Sequence, residues 1–286
     1  MLGACDAVLS GYLGSADIGH AVAATVARVR AANADAVYCC DPVIGDVGRG
    51  VFVRPGIEEF MREVAVPIAD VVTPNHFELD LLSGYLGSAD IGHAVVGTVA
   101  RVRAANPAAV YCCDPVIGDV GRGVFVRPGI EEFMRDVAVP AADVVTPNHF
   151  ELDLLSGTPT TSLDAVKDAV TTVQGLGPRV VLTTSLVTDD TPDDSVDLLA
   201  SEGGRHFRVR TPRLDVSVNG AGDAIAALFL AHWLDTRSAA ESLGRAAASV
   251  FGLLQRTEDA GSREILLVAA QDEFVSPSRT FAVDEV

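Results

Sequence analysis

Positive charge is scarce in this sequence, and lysine is almost absent. The 286 residues include 39 Asp and Glu but only 21 Lys and Arg, which gives a formal net charge of −18, and Lys167 is the single lysine. A surface this acidic repels the phosphates of nucleic acids and of anionic lipids. We therefore expect neither nucleic acid nor a membrane as a partner, and we interpret the excess of carboxylates as a solvated surface.

The sequence also lacks long apolar runs and has few cysteines. No stretch approaches the length of a membrane span, and the first residues, MLGACDAVLSG, have neither the basic nor the apolar region of a signal peptide. The five cysteines are Cys5 and two adjacent pairs, Cys39–Cys40 and Cys112–Cys113. Because neighbours on a strand point to opposite faces, neither pair can form a compact metal or redox site. We expect a cytoplasmic protein with reduced, buried thiols.

An internal repeat occupies the first half of the chain. Residues 10–82 recur as residues 83–155 with only a handful of substitutions, so that Asp41 recurs as Asp114. Solenoid repeats conserve only a short consensus, because each unit needs only its buried positions to stack on a neighbour. Near-identity in loops, faces and core together indicates instead one element that has been duplicated recently.

Short apolar strands alternate with amphipathic helices along the chain. DAVLSG, AVYCCDPV and ADVVTPN have the composition of strands and are separated by segments with helical spacing. Strict alternation predicts an α/β fold, a three-layer sandwich whose central sheet is mostly parallel and covered on both faces. With 49% hydrophobic residues, we expect one domain over residues 1–286, of which residues 156–286 form the catalytic half. Ligands of such sheets bind at the carboxyl ends of the strands.

The strongest chemical signal is the segment SVNGAGDAIAALFL. Gly220, Ala221 and Gly222 lead directly into an apolar helix, so their backbone N–H groups can surround an anion at the positive end of the helix dipole. Asp223 follows, where a carboxylate can take the proton of a hydroxyl group that attacks a bound phosphate. An ordinary aspartate cap on a helix explains the same letters equally well.

Two further segments place polar residues after predicted strands. CCDPVIGD puts Asp114 at the end of one strand, and TPNHFELD puts Asn148 and Glu151 at the turn between a strand and a helix. Hard oxygen ligands of this kind, acting partly through water, suit Mg²⁺ that carries nucleotide phosphates. An Asp-Pro turn and a helix N-terminus are the ordinary explanations of each segment alone. His149, in the same turn, is interpreted as a surface or capping residue.

Five segments, taken in order, make the sequence similar to pyridoxal kinases, the vitamin B6 salvage enzymes of the ribokinase-like superfamily. They are DAVLSGYLGSAD, YCCDPVIGDVGRGVFVRPGI, ADVVTPNHFELDLLSG, VNGAGDAIAALFL and SVFGLLQRT, and the similarity extends from about Cys5 to the end of the chain. The resemblance implies ATP-dependent phosphorylation of the 5′-hydroxymethyl group of pyridoxal, which gives pyridoxal 5′-phosphate, with Mg²⁺ bridging the ATP phosphates. It also implies a small-molecule partner, pyridoxal or a related vitamer, and a homodimer.

The resemblance assigns roles to individual residues. Asp223 would be the base, the Gly220–Gly222 segment the anion hole, and Asp114 and Glu151 the metal and phosphate shell. The nucleotide site would be formed by Asp114, Thr146, Asn148, Glu151, Thr184, Ser185, Thr211, Leu214 and Asn219.

The N-terminal part departs from the family pattern. Pyridoxal kinases have a strand, a helix and a second strand before DAVLSGYLGS, and these elements carry most contacts to the pyridine ring; in this chain the duplicated block stands in their place. We expect the second copy to supply Asp114, Asn148 and Glu151, since it continues directly into the catalytic half. Two alternatives stay open: a nucleotide-binding remnant without turnover, and a kinase of the hydroxymethylpyrimidine type.

Overall fold

Two compact units make up the chain, Met1–Gly87 and Ser88–Val286. The computed structural model describes residues 2–46, 50–72, 89–216, 218, 220–262 and 265–286. We expected a single domain, and the division has a physical cause, because the first copy of the repeat builds a sheet and a hydrophobic core of its own. The second copy, from residue 88 onward, belongs to the same unit as the predicted catalytic half.

The first unit is a small parallel sheet with one long helix. Its elements are a 3-10 turn (Leu2–Ala4), β1 (Ala7–Ser10), α1 (Ala16–Ala32), β2 (Val37–Cys40), β3 (Gly45–Asp46), β4 (Gly50–Val51), α2 (Ile57–Phe60), a π-helical turn (Met61–Ala65), α3 (Val66–Ile68) and β5 (Val71–Val72). The sheet has the order β1-β2-β5, and both pairs are parallel. Tyr38 and Phe60 are buried in its core, whereas Leu9 is 73% exposed and Val37 and Val71 are also exposed.

Near-identical sequence gives the same local contacts in both copies of the repeat. In the first copy, Arg30 pairs with Asp70, and Asp70 also accepts the backbone N–H of Tyr38 at 2.7 Å. This links the end of the long helix to the sheet. The matching contacts of the second copy join Arg103, Asp143 and the N–H of Tyr111, the last at 2.9 Å.

The second unit carries the remaining helices and the larger sheet. Its elements are α4 (Ala89–Ala105), β6 (Cys112–Cys113), β7 (Gly118–Asp119), β8 (Gly123–Val124), α5 (Ile130–Phe133), a π-helical turn (Met134–Ala138), α6 (Val139–Ala141), β9 (Val144–Val145), α7 (His149–Ser156), α8 (Leu163–Leu176), β10 (Val180–Leu186), β11 (Ser195–Glu202), β12 (Arg205–Pro212), α9 (Ala221–Thr236), α10 (Ala239–Asp259), a 3-10 turn (Gln271–Phe274) and β13 (Asp284–Glu285).

The larger sheet has six strands in the order β13-β12-β11-β10-β9-β6. The β6-β9 and β9-β10 pairs are parallel, and the pairs from β10 to β13 are antiparallel. The strands β6, β9 and β10, which alternate with helices, are therefore parallel as predicted, and β11, β12 and β13 extend the sheet with antiparallel pairs. The α/β class is confirmed, and the carboxyl ends of β6, β9 and β10 meet at one edge.

Side-chain caps set several helix boundaries of the second unit. The side chains of Ser162 and Ser238 accept N–H groups in the first turns of α8 and α10. At α7, the Asn148 side chain accepts the Glu151 N–H while the Glu151 side chain accepts the Asn148 N–H, a complete capping box. Gly157 ends the same helix in the left-handed conformation, which glycine adopts without steric cost.

The core of the second unit holds α9 and α10 against the sheet. Phe229 and Trp233 of α9 are almost fully buried and belong to one cluster with Val144 and Leu182 of the strands. Burial of each such side chain contributes about 1.5–3 kcal/mol to stability. The indole N–H of Trp233 donates to Glu202 Oε1 at 3.1 Å, so its polar atom is satisfied. This packing fixes where α9 begins relative to the strand ends.

The helices and the cysteines bear on two expectations from the sequence, that no segment spans a membrane and that the thiols are reduced and buried. Of the helices that the structure describes, none is both long and apolar enough to cross a membrane. All five cysteines are free thiols; Cys40 and Cys113 are buried, and Cys5, Cys39 and Cys112 are partly exposed. Burial raises the pKa of the Cys113 thiol to about 12, so it stays protonated.

Candidate active site

A cavity of 690 Å³ opens in the second unit beside the start of α9. It lies at the carboxyl end of β10, where the alternating pattern places the ligand site. Six of the predicted site residues line it: Thr184, Ser185, Thr211, Leu214, Ala221 and Gly222. Residues of separate segments thus lie at one cavity, and their assignment to a binding site stays a prediction.

The apolar side of the cavity was not predicted. It is formed by Leu198 and Ile225 and by Val250, Phe251 and Leu254 of α10. Because these residues follow the ordinary spacing of a core-facing helix or strand, nothing in their pattern distinguishes a cavity wall from core. The segment SVFGLLQRT contributed only to the resemblance, although it supplies three of these side chains.

The helix α9 presents its positive end at this cavity. Gly220 precedes the helix with φ of +89°, a left-handed conformation that favours glycine, and it has no side chain to cap the first turn. The N–H groups of Ala221 and Gly222 therefore start the helix on the cavity wall. Asp223 is half-buried in this first turn. Asn219, which was also predicted to belong to this site, lies outside the described residues.

Asp114 follows β6 directly and is the most perturbed carboxyl group of the site. Its Oδ1 accepts the Thr146 hydroxyl at 2.9 Å, and Thr146 is itself the residue after β9. Burial raises the pKa of Asp114 to about 7, and the negative charges of Glu151 and Asp223 add to the rise. Asp114 thus lies within electrostatic reach of two other carboxyl groups, each from a separate segment.

Glu151 is buried and holds three backbone amides. Its Oε1 accepts the N–H groups of Ile117 and Gly118 at 2.7 and 3.3 Å, and its Oε2 accepts the N–H of Asn148 at 3.0 Å. Burial raises the pKa of Glu151, while these hydrogen bonds oppose the rise. Asn148 also donates its side-chain amide to the Gly118 carbonyl at 2.8 Å. The N-x-x-E pair is therefore a capping box that ties α7 to the loop after Asp114.

The segment after Asp114 forms the small hairpin of β7 and β8. A Cβ atom on Gly118 would lie 2.4 Å from Phe150 Cε1 and 2.6 Å from the Gly123 carbonyl oxygen, so only glycine fits there. The hairpin reaches the cavity through Asp119 and Val120. Its turn thus covers one side of the site.

His149 also lines the cavity. The interpretation of this residue as a surface or capping group missed its contacts, which reach the segment after β10 and the segment after α7. No signal in the sequence reveals them, because the partners, Val187 and Thr160, are 38 and 11 residues away.

The chemistry of the donor set bears on whether a metal fits. Among the residues that the structure describes, no group of three or more His, Cys, Asp and Glu side chains could hold a metal ion. Mg²⁺ commonly keeps several waters and binds through one or two carboxylates together with substrate phosphates. Asp114 fits such a role, because a cation beside it would offset the burial and the two neighbouring carboxylates that raise its pKa. Glu151 has both oxygens in hydrogen bonds, so any part it takes would be through water.

Known kinases are related to this chain in sequence. Residues 83–266 match the family model described as phosphomethylpyrimidine kinase. The chain is 51% identical over 245 residues to a pyridoxal kinase of Granulibacter bethesdensis, covering 83% of this chain and 82% of that protein. It is 51% identical over 207 residues to a pyridoxal kinase of Rubrobacter xylanophilus, covering 72% and 71%.

Solved structures give the same family. A pyridoxal kinase from Leishmania donovani in complex with ADP and pyridoxine aligns with a TM-score of 0.64 and 27% identity, covering 75% of this chain and 73% of that one. A pyridoxal kinase from Entamoeba histolytica aligns over 98% of both chains with a TM-score of 0.67 at 18% identity, which shows a shared fold.

Proposed function

Because the chain belongs to the pyridoxal kinase family, we propose that it transfers the γ-phosphoryl group of ATP to the 5′-hydroxymethyl group of pyridoxal. The products are pyridoxal 5′-phosphate and ADP. The observation that carries this proposal is the cavity at the uncapped start of α9, with Asp223 in the first turn and Asp114 close enough to interact with it.

Nucleotide binding uses the two kinds of surface that the cavity offers. The apolar wall of Leu198, Val250 and Phe251 suits a planar base, and Thr184 and Thr211 provide hydroxyl groups on the opposite segments. The phosphates would lie toward the N–H groups of Ala221 and Gly222, where the helix dipole stabilises negative charge. In this proposal the γ-phosphoryl group would lie toward Asp223, which belongs to the same helical turn.

Asp223 then acts as the general base. It takes the proton of the 5′-hydroxyl group while that oxygen forms a bond to the γ-phosphorus atom, and the bond from phosphorus to the β–γ bridging oxygen breaks. The N–H groups at the start of α9 stabilise the negative charge of the transferred group. Asp114 would hold Mg²⁺, which would neutralise charge between the β- and γ-phosphates. Thr146 orients the Asp114 carboxylate through its hydroxyl.

Two further properties belong to the proposal. A reducing compartment, the cytoplasm, is supported by the five free thiols. A homodimer is supported by the family resemblance alone, and light scattering at several protein concentrations would test it.

The experiment is an acceptor comparison. The full chain is incubated with Mg-ATP and pyridoxal, pyridoxine or hydroxymethylpyrimidine, and both ADP release and phosphorylated product are measured, with a reaction lacking an acceptor as the control. We expect ADP and pyridoxal 5′-phosphate in equal amounts. ATP binding without product from any acceptor would identify a nucleotide-binding remnant, and product from hydroxymethylpyrimidine alone would assign the other kinase type.

A further inference from the structure

His149 makes hydrogen bonds through both ring nitrogens. Its Nδ1 lies 3.3 Å from the backbone N of Val187, which donates, and its Nε2 lies 2.9 Å from the Thr160 carbonyl oxygen. Because Nδ1 accepts, Nε2 carries the proton of the neutral ring and donates to Thr160. The Thr160 hydroxyl donates to Asp153 Oδ1 at 2.6 Å, so the acceptor segment is itself fixed. The ring thus joins α7 to two other segments.

The segment that His149 holds is the irregular end of β10. The pairing of β10 with β11 shifts register between Thr183 and Leu186, and Ser185 has φ of +55°. A residue other than glycine seldom adopts this left-handed conformation, and it persists only where surrounding contacts impose it. The bulge directs Thr184 and Ser185 onto the nucleotide cavity.

The bulged end is fastened on both sides. Before Ser185, the Thr184 N–H donates to the Pro147 carbonyl at 3.0 Å, next to a parallel bridge between Asn148 and Thr184. After it, the Val187 N–H donates to His149. The first attachment is made by backbone atoms, and the second depends on one side chain.

We propose that His149 is a positioning residue for ATP: by accepting the Val187 N–H, it fixes the bulged end of β10 so that Thr184 and Ser185 line the nucleotide cavity. This rests on the proposed kinase function. Without the hydrogen bond from Val187 to His149, Thr184 and Ser185 would be less well ordered. ATP would then bind more weakly, by the same factor in the ground state and in the transition state. Such a loss raises the KM for ATP and leaves kcat unchanged.

Three substitutions separate the two hydrogen bonds. His149→Asn places a carbonyl oxygen near the position of Nδ1 and can still accept from Val187, while His149→Gln reaches the position of Nε2 and can still donate to Thr160. His149→Leu loses both. We expect the Leu and Gln variants to raise the KM for ATP about 5- to 10-fold, the worth of one hydrogen bond. The Asn variant should stay within about 2-fold of the original enzyme, and the KM for pyridoxal should be unchanged in all three.

The controls distinguish this role from a structural one. Denaturant unfolding is measured for each variant. His93→Leu, which removes a histidine of α4 that packs edge-on against Phe133, gives the effect of losing a histidine elsewhere. Failure of the Asn variant to restore the KM, or equal loss of kcat and stability in all three variants with an unchanged KM for ATP, would overturn the proposal. Calorimetric ATP affinity is measured in parallel without an acceptor, so absence of turnover in the original enzyme would count against the kinase function and not against His149.

Discussion

Replacement of Asp114 by asparagine should make the protein more stable while it removes a residue of the site. The pKa of this carboxyl group rises from its usual 3.8 to about 7 in the folded protein, through burial first and then through Glu151 and Asp223. A raised carboxyl pKa means that the folded state favours the protonated form. Its contribution to stability is complete below the unfolded pKa and is lost as the pH rises toward and through the folded pKa.

The magnitude follows from the size of the shift. At about 1.4 kcal/mol per pKa unit, Asp114 costs the folded state about 2 kcal/mol at pH 5, where it must take up a proton on folding, and about 4 kcal/mol at pH 8, where it is mostly ionised. Asparagine has the same shape and no charge, and its oxygen can still accept the Thr146 hydroxyl. The free energy of unfolding of Asp114→Asn should therefore exceed that of the original protein by a margin that grows with pH.

Urea denaturation between pH 5 and pH 8, without Mg²⁺ or nucleotide, measures that margin. The control is Asp168→Asn, an exposed position on α8 where we expect a change within about 0.5 kcal/mol at every pH. A margin that stays constant with pH, or an asparagine variant that is less stable at pH 8, would refute burial and charge repulsion as the cause of the raised Asp114 pKa.

Three further outcomes follow from the site and from the two copies. Asp223→Asn should lower kcat by about two to four powers of ten with ATP affinity retained, measured by coupled ADP release and calorimetry; unchanged turnover would reduce Asp223 to a helix cap. Asp114→Ala and Glu151→Ala should weaken Mg-ATP binding, measured by calorimetry, because both residues belong to the unit that holds the cavity. The matching variants of the first copy, Asp41→Ala and Glu78→Ala, should not weaken it. Equal losses would mean that both copies serve the site. Hydrogen exchange should be faster in α1 than in α4, since the first unit has the smaller core; equal protection would contradict this.

Much of the framework could be predicted from the sequence because its signals are local. Helix α9 follows the glycines of the G-A-G-D segment, as predicted. The parallel pairs β6-β9 and β9-β10 follow from the predicted alternation of strands and helices. Capping and turn chemistry act over three or four residues, so the sequence states them directly. The predicted helix that would contain Glu78 lies outside the described residues.

The parts that could not be predicted depend on contacts between distant segments. The pattern of α10 is that of any buried helix, and only the packed structure turns Val250 and Phe251 into a cavity wall. Ser185 has a left-handed backbone conformation inside a strand of β-forming residues, and no glycine or other turn residue in the sequence indicates it. Asn148 and Glu151 form the capping box that was the ordinary interpretation, and they also lie beside Asp114. The capping box of that motif is therefore confirmed, and a role for Glu151 at the metal stays a prediction.

The paired contacts of the two copies have a consequence for synthesis of the protein. The same sequence forms the same ion pair, and the same link between helix and sheet, in both units. These contacts of the first copy therefore do not depend on the catalytic half. Since chains fold from the N-terminus as they leave the ribosome, the first copy can form its sheet before any residue of α9 exists. At that stage its exposed apolar face, with Leu9 and Val71, is the kind of surface that general chaperones bind. Each nascent chain would thus display that face from the time its first copy folds.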